Sequence, residues 1–227
     1  MVLAIIQART SSSRFPNKVL ADLHGAPMLA RQIERVLRCA LIDKLVVATS
    51  SAPNDDAVED IAHEAGVACY RGSLGGVFDR LYRCAEFYNA DHVVRLTGDC
   101  PLTDPIIIDD VISTHVSGGM DYTSNVEPCT FPDGLDVEVF TFAAMQRCHE
   151  ALSMAQEHVT TLFRRAMQFK IGRFRNAVDY SKYRWTVDYP SDLERVRRIY
   201  ADLYDDKPDF GWLDIMAWEA RHGRSTK

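Results

Sequence analysis

Three cations and four hydroxyls stand within the twelve residues Gln7-Ala8-Arg9-Thr10-Ser11-Ser12-Ser13-Arg14-Phe15-Pro16-Asn17-Lys18, and no acid interrupts them. A loop of this kind offers backbone N–H groups and side-chain donors to phosphate oxygens. It lacks the glycines of a P-loop or a dinucleotide fingerprint, so neither motif applies. A solvated polar loop would draw on the same residue types. What sets this one apart is its place: it leaves an apolar run, Val2 to Ile6, where an α/β sheet holds its ligand.

Two acids are placed to complement the cations. Val93-Val94-Arg95-Leu96-Thr97-Gly98-Asp99 reads as a strand running into a turn, with Asp99 at its carboxyl end. A carboxylate there either holds Mg²⁺, which takes oxygen ligands and shares itself with substrate phosphates, or simply closes the turn. Trp185-Thr186-Val187-Asp188-Tyr189-Pro190-Ser191-Asp192 reads as a second strand end before a helix. Asp188 lies at the terminus and is the better ligand candidate, whereas Asp192 suits the first turn of the helix. A third acidic stretch, Pro132-Asp133-Gly134-Leu135-Asp136-Val137-Glu138, offers hydrogen-bond acceptors for the hydroxyls of a ligand or forms an ordinary turn. Glu157 and His158 open a helical stretch and are either ligand-site groups or structural ones. Arg173 and Arg175 are candidates to meet a carboxylate on a ligand. Trp185 and Trp212 read as core or interface aromatics.

These residues need a frame. Short apolar runs (Val2–Ile6, Leu45–Thr49, Ala68–Tyr70, His92–Leu96) alternate with amphipathic stretches. The helices read from about Pro27 to Ala40, from a cap at Asp55 and Asp56 to Gly66, from Val77 to Asn89, and onward from Pro105. That rhythm predicts an α/β fold, a mainly parallel sheet covered on both faces. Further on, Leu135–Phe140, Lys170–Phe174 and Tyr183–Val187 read as strands. Thr141–Ala151, Glu157–Met167, Asp192–Tyr204 and Phe210–Arg221 read as helices.

The 227 residues suit one domain, with part of about 120–185 serving the acceptor side or a dimer interface. The formal charge is -6 and no basic stripe stands out, which argues against nucleic acid as a partner. Any polyphosphate site must therefore gather its cations locally. None of the six cysteines forms a C-x-x-C pair, so a zinc site is not expected and buried reduced thiols are. The opening apolar run is too short for a signal peptide and no stretch is long enough to span a bilayer, so a cytoplasmic protein is expected.

The stretch Ile5-Ile6-Gln7-Ala8-Arg9-Thr10-Ser11-Ser12-Ser13-Arg14-Phe15-Pro16-Asn17-Lys18-Val19-Leu20 resembles the opening motif of sugar nucleotidyltransferases. It is most similar to the cytidylyltransferase branch that activates acidic sugars, and within it to the SpsF-like proteins. Later motifs fit in order across nearly the whole chain. The resemblance implies a Rossmann-like fold of the nucleotide-diphospho-sugar transferase type. It implies that Arg9, Arg14 and Lys18 bind the triphosphate and stabilise the leaving pyrophosphate, with Ala8 and Ser13 in the same nucleotide site. It places Arg71 and Ser73 beside the nucleobase, and a metal, Mg²⁺ or Mn²⁺, on Asp99 and Asp188. Asp136 and Glu138 match a Gly-Leu-Asp-Val-Glu segment of these proteins, which favours acceptor contact for them, with His158 as a further candidate. CTP as donor, a sugar or sugar-acid acceptor, a place in polysaccharide or glycoconjugate biosynthesis and a homodimer are likewise what the resemblance implies.

The chemistry agrees, since such transfer needs strong charge neutralisation and little covalent help. Replacing Arg9 or Lys18 by Ala is then expected to lower turnover far more than stability. Two other classes compete: a glycosyltransferase using a preformed nucleotide sugar, and a non-catalytic nucleotide-binding module. The first normally shows an Asp-x-Asp motif where this chain has Gly98-Asp99-Cys100-Pro101. The second has no need of the Asp99 and Asp188 pair.

Overall fold

A computed structural model describes residues 1–152 and 169–223. Its centre is β1 (Val2–Gln7), whose Leu3, Ala4, Ile5 and Ile6 are all fully buried. Successive side chains on a strand point to opposite faces. Ala4 and Ile6 accordingly enter one apolar cluster and Leu3 and Ile5 another. A strand covered on both faces has no polar side to show, which is why the run reads as uninterrupted apolar sequence.

β4 (Lys44–Ser50) and β6 (His92–Thr97) flank β1 in parallel, and β5 (Ala68–Gly72) extends the sheet beyond β4. On the other side, β8 (Glu138–Thr141) pairs antiparallel with β6 and with β7 (Tyr122–Ser124), which is followed by β9 (Ile171–Arg173) in parallel. The seven strands run β5-β4-β1-β6-β8-β7-β9. The expected α/β architecture is thus present. One face is covered by α1 (Met28–Val36), α2 (Asp56–Glu64), α4 (Pro105–Gly118), α6 (Pro190–Leu203) and α7 (Trp212–His222). The other carries α3 (Val77–Phe87) and α5 (Phe142–Leu152). Among the described residues no helix is long and apolar enough to cross a membrane. Cys84, Cys100 and Cys148 are buried thiols, as composition implied.

Register matters most at the carboxyl edge. Gln7 is level with Ala48 on β4 and Thr97 on β6, so the segments leaving β1 and β6 emerge side by side. Gly98 N–H donates to the Gln7 carbonyl at 2.8 Å. A Cβ on Gly98 would sit 3.0 Å from both that oxygen and the Ala8 Cβ. Glycine here lets two chain segments approach at the point where the site begins.

Several expected elements differ. The start of the helix expected from Pro27 follows a small hairpin, β2 (Asp22–Leu23) with β3 (Ala26–Pro27). Its turn residues His24 and Gly25 both have positive φ, as a type I′ turn requires. Leu135–Phe140 becomes strand only from Glu138. Before it, Asn125 does the pairing, donating to the Leu135 carbonyl at 2.7 Å and accepting from the Val137 amide at 2.8 Å. Tyr183–Val187 is extended but not a strand, because its sheet-like pairing amounts to a single β-bridge, Asp133 with Arg184. There the Asp133 amide donates to the Tyr183 carbonyl and the Trp185 amide to the Asp133 carbonyl. Gly134, at φ 108°, permits this, since a Cβ would lie 2.9 Å from Thr186 N. Glu157–Met167 lies outside the described residues.

Trp185 anchors the extended segment. It is 1% exposed, and its indole N–H donates to the buried Glu219 carboxylate at 3.0 Å, which is also ion-paired with Arg195. Trp185→Ala is therefore expected to destabilise by about 3–5 kcal/mol. Urea unfolding will check this; a loss near zero would mean that the segment is held elsewhere.

Candidate active site

The loop after β1 and the turn after β6 are joined by one side chain. Lys18 lies in a short 3-10 turn, Lys18–Leu20, and is buried. Its Nζ donates to Asp99 Oδ2 at 3.1 Å, to Asp188 Oδ1 at 3.1 Å and to the Val187 carbonyl at 2.7 Å. All three donors of the ammonium are thereby used. The backbone reinforces the meeting: Val187 N–H donates to the Asp99 carbonyl at 2.8 Å. The extended segment thus brings Asp188 beside Asp99 without joining the sheet.

Asp188 receives two more cations. Arg14 reaches Oδ1 at 2.9 Å and lies over the Tyr189 ring, 5.5 Å from its centroid. Arg184 reaches Oδ2 at 2.7 Å and also pairs with Asp192 Oδ2 at 2.9 Å. Asp192 in turn accepts from the Asp188 and Tyr189 amides, both at 2.8 Å. It closes the free N-terminus of α6, as expected, and holds the Asp188 backbone at the same time. Burial pushes the Asp192 carboxyl up, but the Arg184 bond and the two amide bonds outweigh it and hold it below the usual carboxylate range. Asp99 behaves similarly. Burial pushes it up, while the Lys18 charge and hydrogen bonds from Thr97 and Lys18 bring it below its ordinary value.

A cavity of about 300 Å³ opens over this cluster. Ala8, Arg9, Ser13, Arg14, Lys18, Asp99 and Asp188 line it, so most of the residues expected at the nucleotide and metal converge here. Arg9 is exposed on its rim and, among the described residues, has no acid partner. The two carboxylates face one cavity, and among the described residues no third acid, His or Cys completes a cage. That donor set suits a hard divalent cation that takes its other oxygens from phosphates and water.

Other expected residues lie elsewhere. The Arg71 guanidinium turns away from the cavity: Nε donates to the Ser50 carbonyl at 3.0 Å, NH2 to the Ala52 carbonyl at 2.8 Å, and NH1 pairs with Asp56 and Glu59. Ser73 is exposed and uses its carbonyl to accept from Arg80. Glu138 is buried, ion-paired with Arg95 and accepting from the Tyr122 hydroxyl at 2.6 Å. It reaches the cavity only indirectly, because Arg95 lines the wall and donates to Gln7 Oε1 at 2.8 Å. Asp136 is half-buried near Cys100, whose thiol is pushed far up by burial first and then by the Asp99 and Asp136 charges. Arg173 and Arg175 are exposed on and after β9. His158 and Glu157 lie outside the described residues.

Sequence reasoning missed Arg184, Arg95 and the true use of Asp55. Arg184 precedes Asp188 by four residues, a spacing that signals a pair only on a helix. Here the extended backbone folds the two together. Asp55 occupies the N-cap position of α2 as expected, but its side chain caps no α2 amide; its carboxylate accepts from Thr10 instead.

A family model described as Cytidylyltransferase matches residues 3–205. The spore coat polysaccharide biosynthesis protein SpsF of Bacillus subtilis is 32% identical over 222 residues, covering 95% of this chain and 92% of that protein. A 3-deoxy-manno-octulosonate cytidylyltransferase of Trichlorobacter lovleyi is 39% identical over 111 residues, 49% of this chain and 43% of that enzyme. An uncharacterized protein of Methanocaldococcus jannaschii is 37% identical over 161 residues, covering 70% of this chain and 65% of that protein. The structure of a cytidylyltransferase from Leptospira borgpetersenii superposes with a TM-score of 0.91 at 30% identity, covering 97% of this chain and 94% of that one.

The buried Lys18 corrects the expectation that its replacement would spare stability. In Lys18→Met, Asp99 and Asp188 would face each other without their shared counter-charge. The expected loss is roughly 3 kcal/mol at pH 7. Its sign against pH is fixed by Asp99. The wild-type carboxyl is held below its unfolded value, so its contribution is present above about pH 4 and is lost as pH falls through the folded value. The gap between wild type and Lys18→Met should therefore close in acid. Unfolding midpoints measured from pH 7.5 to 3.5 would show it, and a pH-independent gap would exclude the ion pair as its source.

Proposed function

The chain belongs to the cytidylyltransferase family, and from that premise we propose that it transfers CMP from CTP to a sugar or sugar-acid acceptor and releases pyrophosphate. The observation that carries the reading is the Lys18 ammonium shared between Asp99 and Asp188 at the floor of a cavity rimmed by Arg9 and Arg14. Cations and carboxylates in one pocket are what a polyphosphate with a divalent metal requires.

In this reading an acceptor oxygen, hydroxyl or phosphate, attacks the α-phosphorus. A new P–O bond forms, a hydroxyl acceptor gives up its proton to solvent, and the bond from the α-phosphorus to the α–β bridging oxygen breaks, with the electron pair leaving on pyrophosphate. Arg9, Arg14 and Lys18 neutralise the β- and γ-phosphates, where negative charge grows during transfer. The Ser13 hydroxyl and the Ala8 backbone supply further donors around the same cavity. Asp99 and Asp188 would hold Mg²⁺ or Mn²⁺, which when bound supplies Lewis-acid neutralisation at the phosphates. Arg184 holds one Asp188 oxygen, while Lys18 and Arg14 engage the other, which a bound metal would share or take over.

The acceptor side is assigned to Asp136 and to the neighbouring part of residues 120–185, with His158 and the exposed Arg173 and Arg175 as further contacts to an acidic sugar. Glu138 acts there through Arg95 rather than by touching the acceptor. A homodimer working in the cytoplasm, in polysaccharide or glycoconjugate biosynthesis, completes the reading.

The test is pyrophosphate release from each of the four nucleoside triphosphates against a panel of sugar acids and sugar phosphates. CTP should be preferred, chelator should abolish release, and Mg²⁺ or Mn²⁺ should restore it. Arg9→Ala is the clean variant, because Arg9 is exposed and makes no internal ion pair among the described residues. It should lower kcat/KM on the order of a hundredfold with an unchanged melting temperature. Release that is undiminished in Arg9→Ala, or that persists in excess chelator, would refute the proposal.

A further inference from the structure

The loop that carries Arg9, Arg14 and Lys18 hangs from one residue. Thr10 is 4% exposed and engages both of its polar ends. Its amide donates to Asp55 Oδ1 at 2.7 Å and its hydroxyl to the same oxygen at 2.8 Å. Its carbonyl accepts from the Ser12 and Asn17 amides, both at 2.9 Å. The Asn17 bond closes the loop at its far end, one residue before Lys18, with Asn17 itself at positive φ. The exposed stretch between is thus tied at both ends to Thr10, and Thr10 is tied to Asp55.

Asp55 is 1% exposed. Its second oxygen accepts from the Ser50 hydroxyl at the end of β4. Burial raises its carboxyl, yet the bonds from Ser50 and Thr10 hold it below the usual range, so it accepts as a carboxylate. Arg71 braces the turn that presents it. The guanidinium grips the Ser50 and Ala52 carbonyls on one side and the Asp56 and Glu59 carboxylates of α2 on the other. Asp55 lies between those two grips.

We propose that Asp55, braced by Arg71, is a positioning residue that fixes the conformation of the phosphate-binding loop through Thr10. This rests on the reading that the loop holds the triphosphate of CTP. It also gives Arg71 a role without contact to the nucleobase. Asp55→Asn is the conservative variant: its amide oxygen can still accept from Thr10, and the Ser50 hydroxyl can turn to accept from the new NH₂. Asp55→Ala leaves the buried Thr10 amide and hydroxyl without an acceptor.

Two readouts test this in the full-length protein. Steady-state kinetics should show KM for CTP raised tenfold to a hundredfold, on the order expected for a misplaced binding group, with KM for the acceptor unchanged in Asp55→Ala. Trypsin should cut after Arg14 roughly tenfold faster, because the loop opens more often. Asp55→Asn should return both to within about threefold of wild type. Arg71→Ala should move both the same way, and Arg71→Ala combined with Asp55→Ala should go no further than Asp55→Ala alone. If Asp55→Ala fails to fold, Thr10→Val, which removes one of the two Thr10 bonds, takes its place against Asp55→Asn.

Unchanged cleavage and KM in these variants would overturn the proposal. So would effects of Arg71→Ala and Asp55→Ala that multiply, since Arg71 would then meet the nucleotide independently. Should the wild-type protein release no pyrophosphate from CTP, the functional reading fails; the trypsin arm then decides the clamp by itself.

Discussion

Lys18 reaches 81 residues along the chain to Asp99 and 170 to Asp188, and the rest of the site takes its form from that contact. A buried ammonium is costly unless every donor is used and its charge is matched. Here two carboxylates and a carbonyl provide both. Conversely, two carboxylates facing one cavity repel unless a cation lies between them. The sheet edge, the short turn that carries Lys18 and the extended 183–188 segment must therefore all be in place together.

This arrangement explains how a chain of net charge -6 can offer a polyphosphate site. The cations are concentrated on one loop and held by local acids, so the field is short-ranged and confined to the cavity. Lys18 and Arg14 are engaged with Asp188, while Arg9 on the rim has no such partner among the described residues. On the proposed reading, an incoming polyphosphate would meet the exposed Arg9 and then compete with the carboxylates for the other two. Affinity would thereby be tied to a rearrangement of ion pairs, rather than to bare positive charge that attracts any anion.

Around the cluster lies a rigid support. Asp192 closes α6 and holds the Asp188 amide; Trp185 pins the same segment to buried Glu219; Asp104 caps α4 through Oδ1 and takes the first amide of α7 through Oδ2. Single carboxylates that each serve two elements set the relative placement of those elements more tightly than separate caps would. The same economy appears at Asp55, which joins the β4–α2 connection to the loop after β1.

Local pattern made much of this readable in the sequence. The uninterrupted apolar runs announced strands buried on both faces, and the order of elements announced a mainly parallel sheet with its site at the carboxyl edge. The cation-rich loop and Asp99 follow β1 and β6 directly, so chain position alone put them at that edge. Side-chain partners were another matter. Arg71 lies at the carboxyl end of β5, much as Asp99 lies just past the end of β6, yet it turns into acids on α2, and Glu138 turns into Arg95. Arg184 sits on a segment read as a strand, although a strand needs a ladder of bonds and this one has a single bridge. Periodicity and turn chemistry act over a few residues and can be read along the chain. Whether a charged group faces a ligand or an internal partner is fixed by contacts between segments that only folding brings within reach.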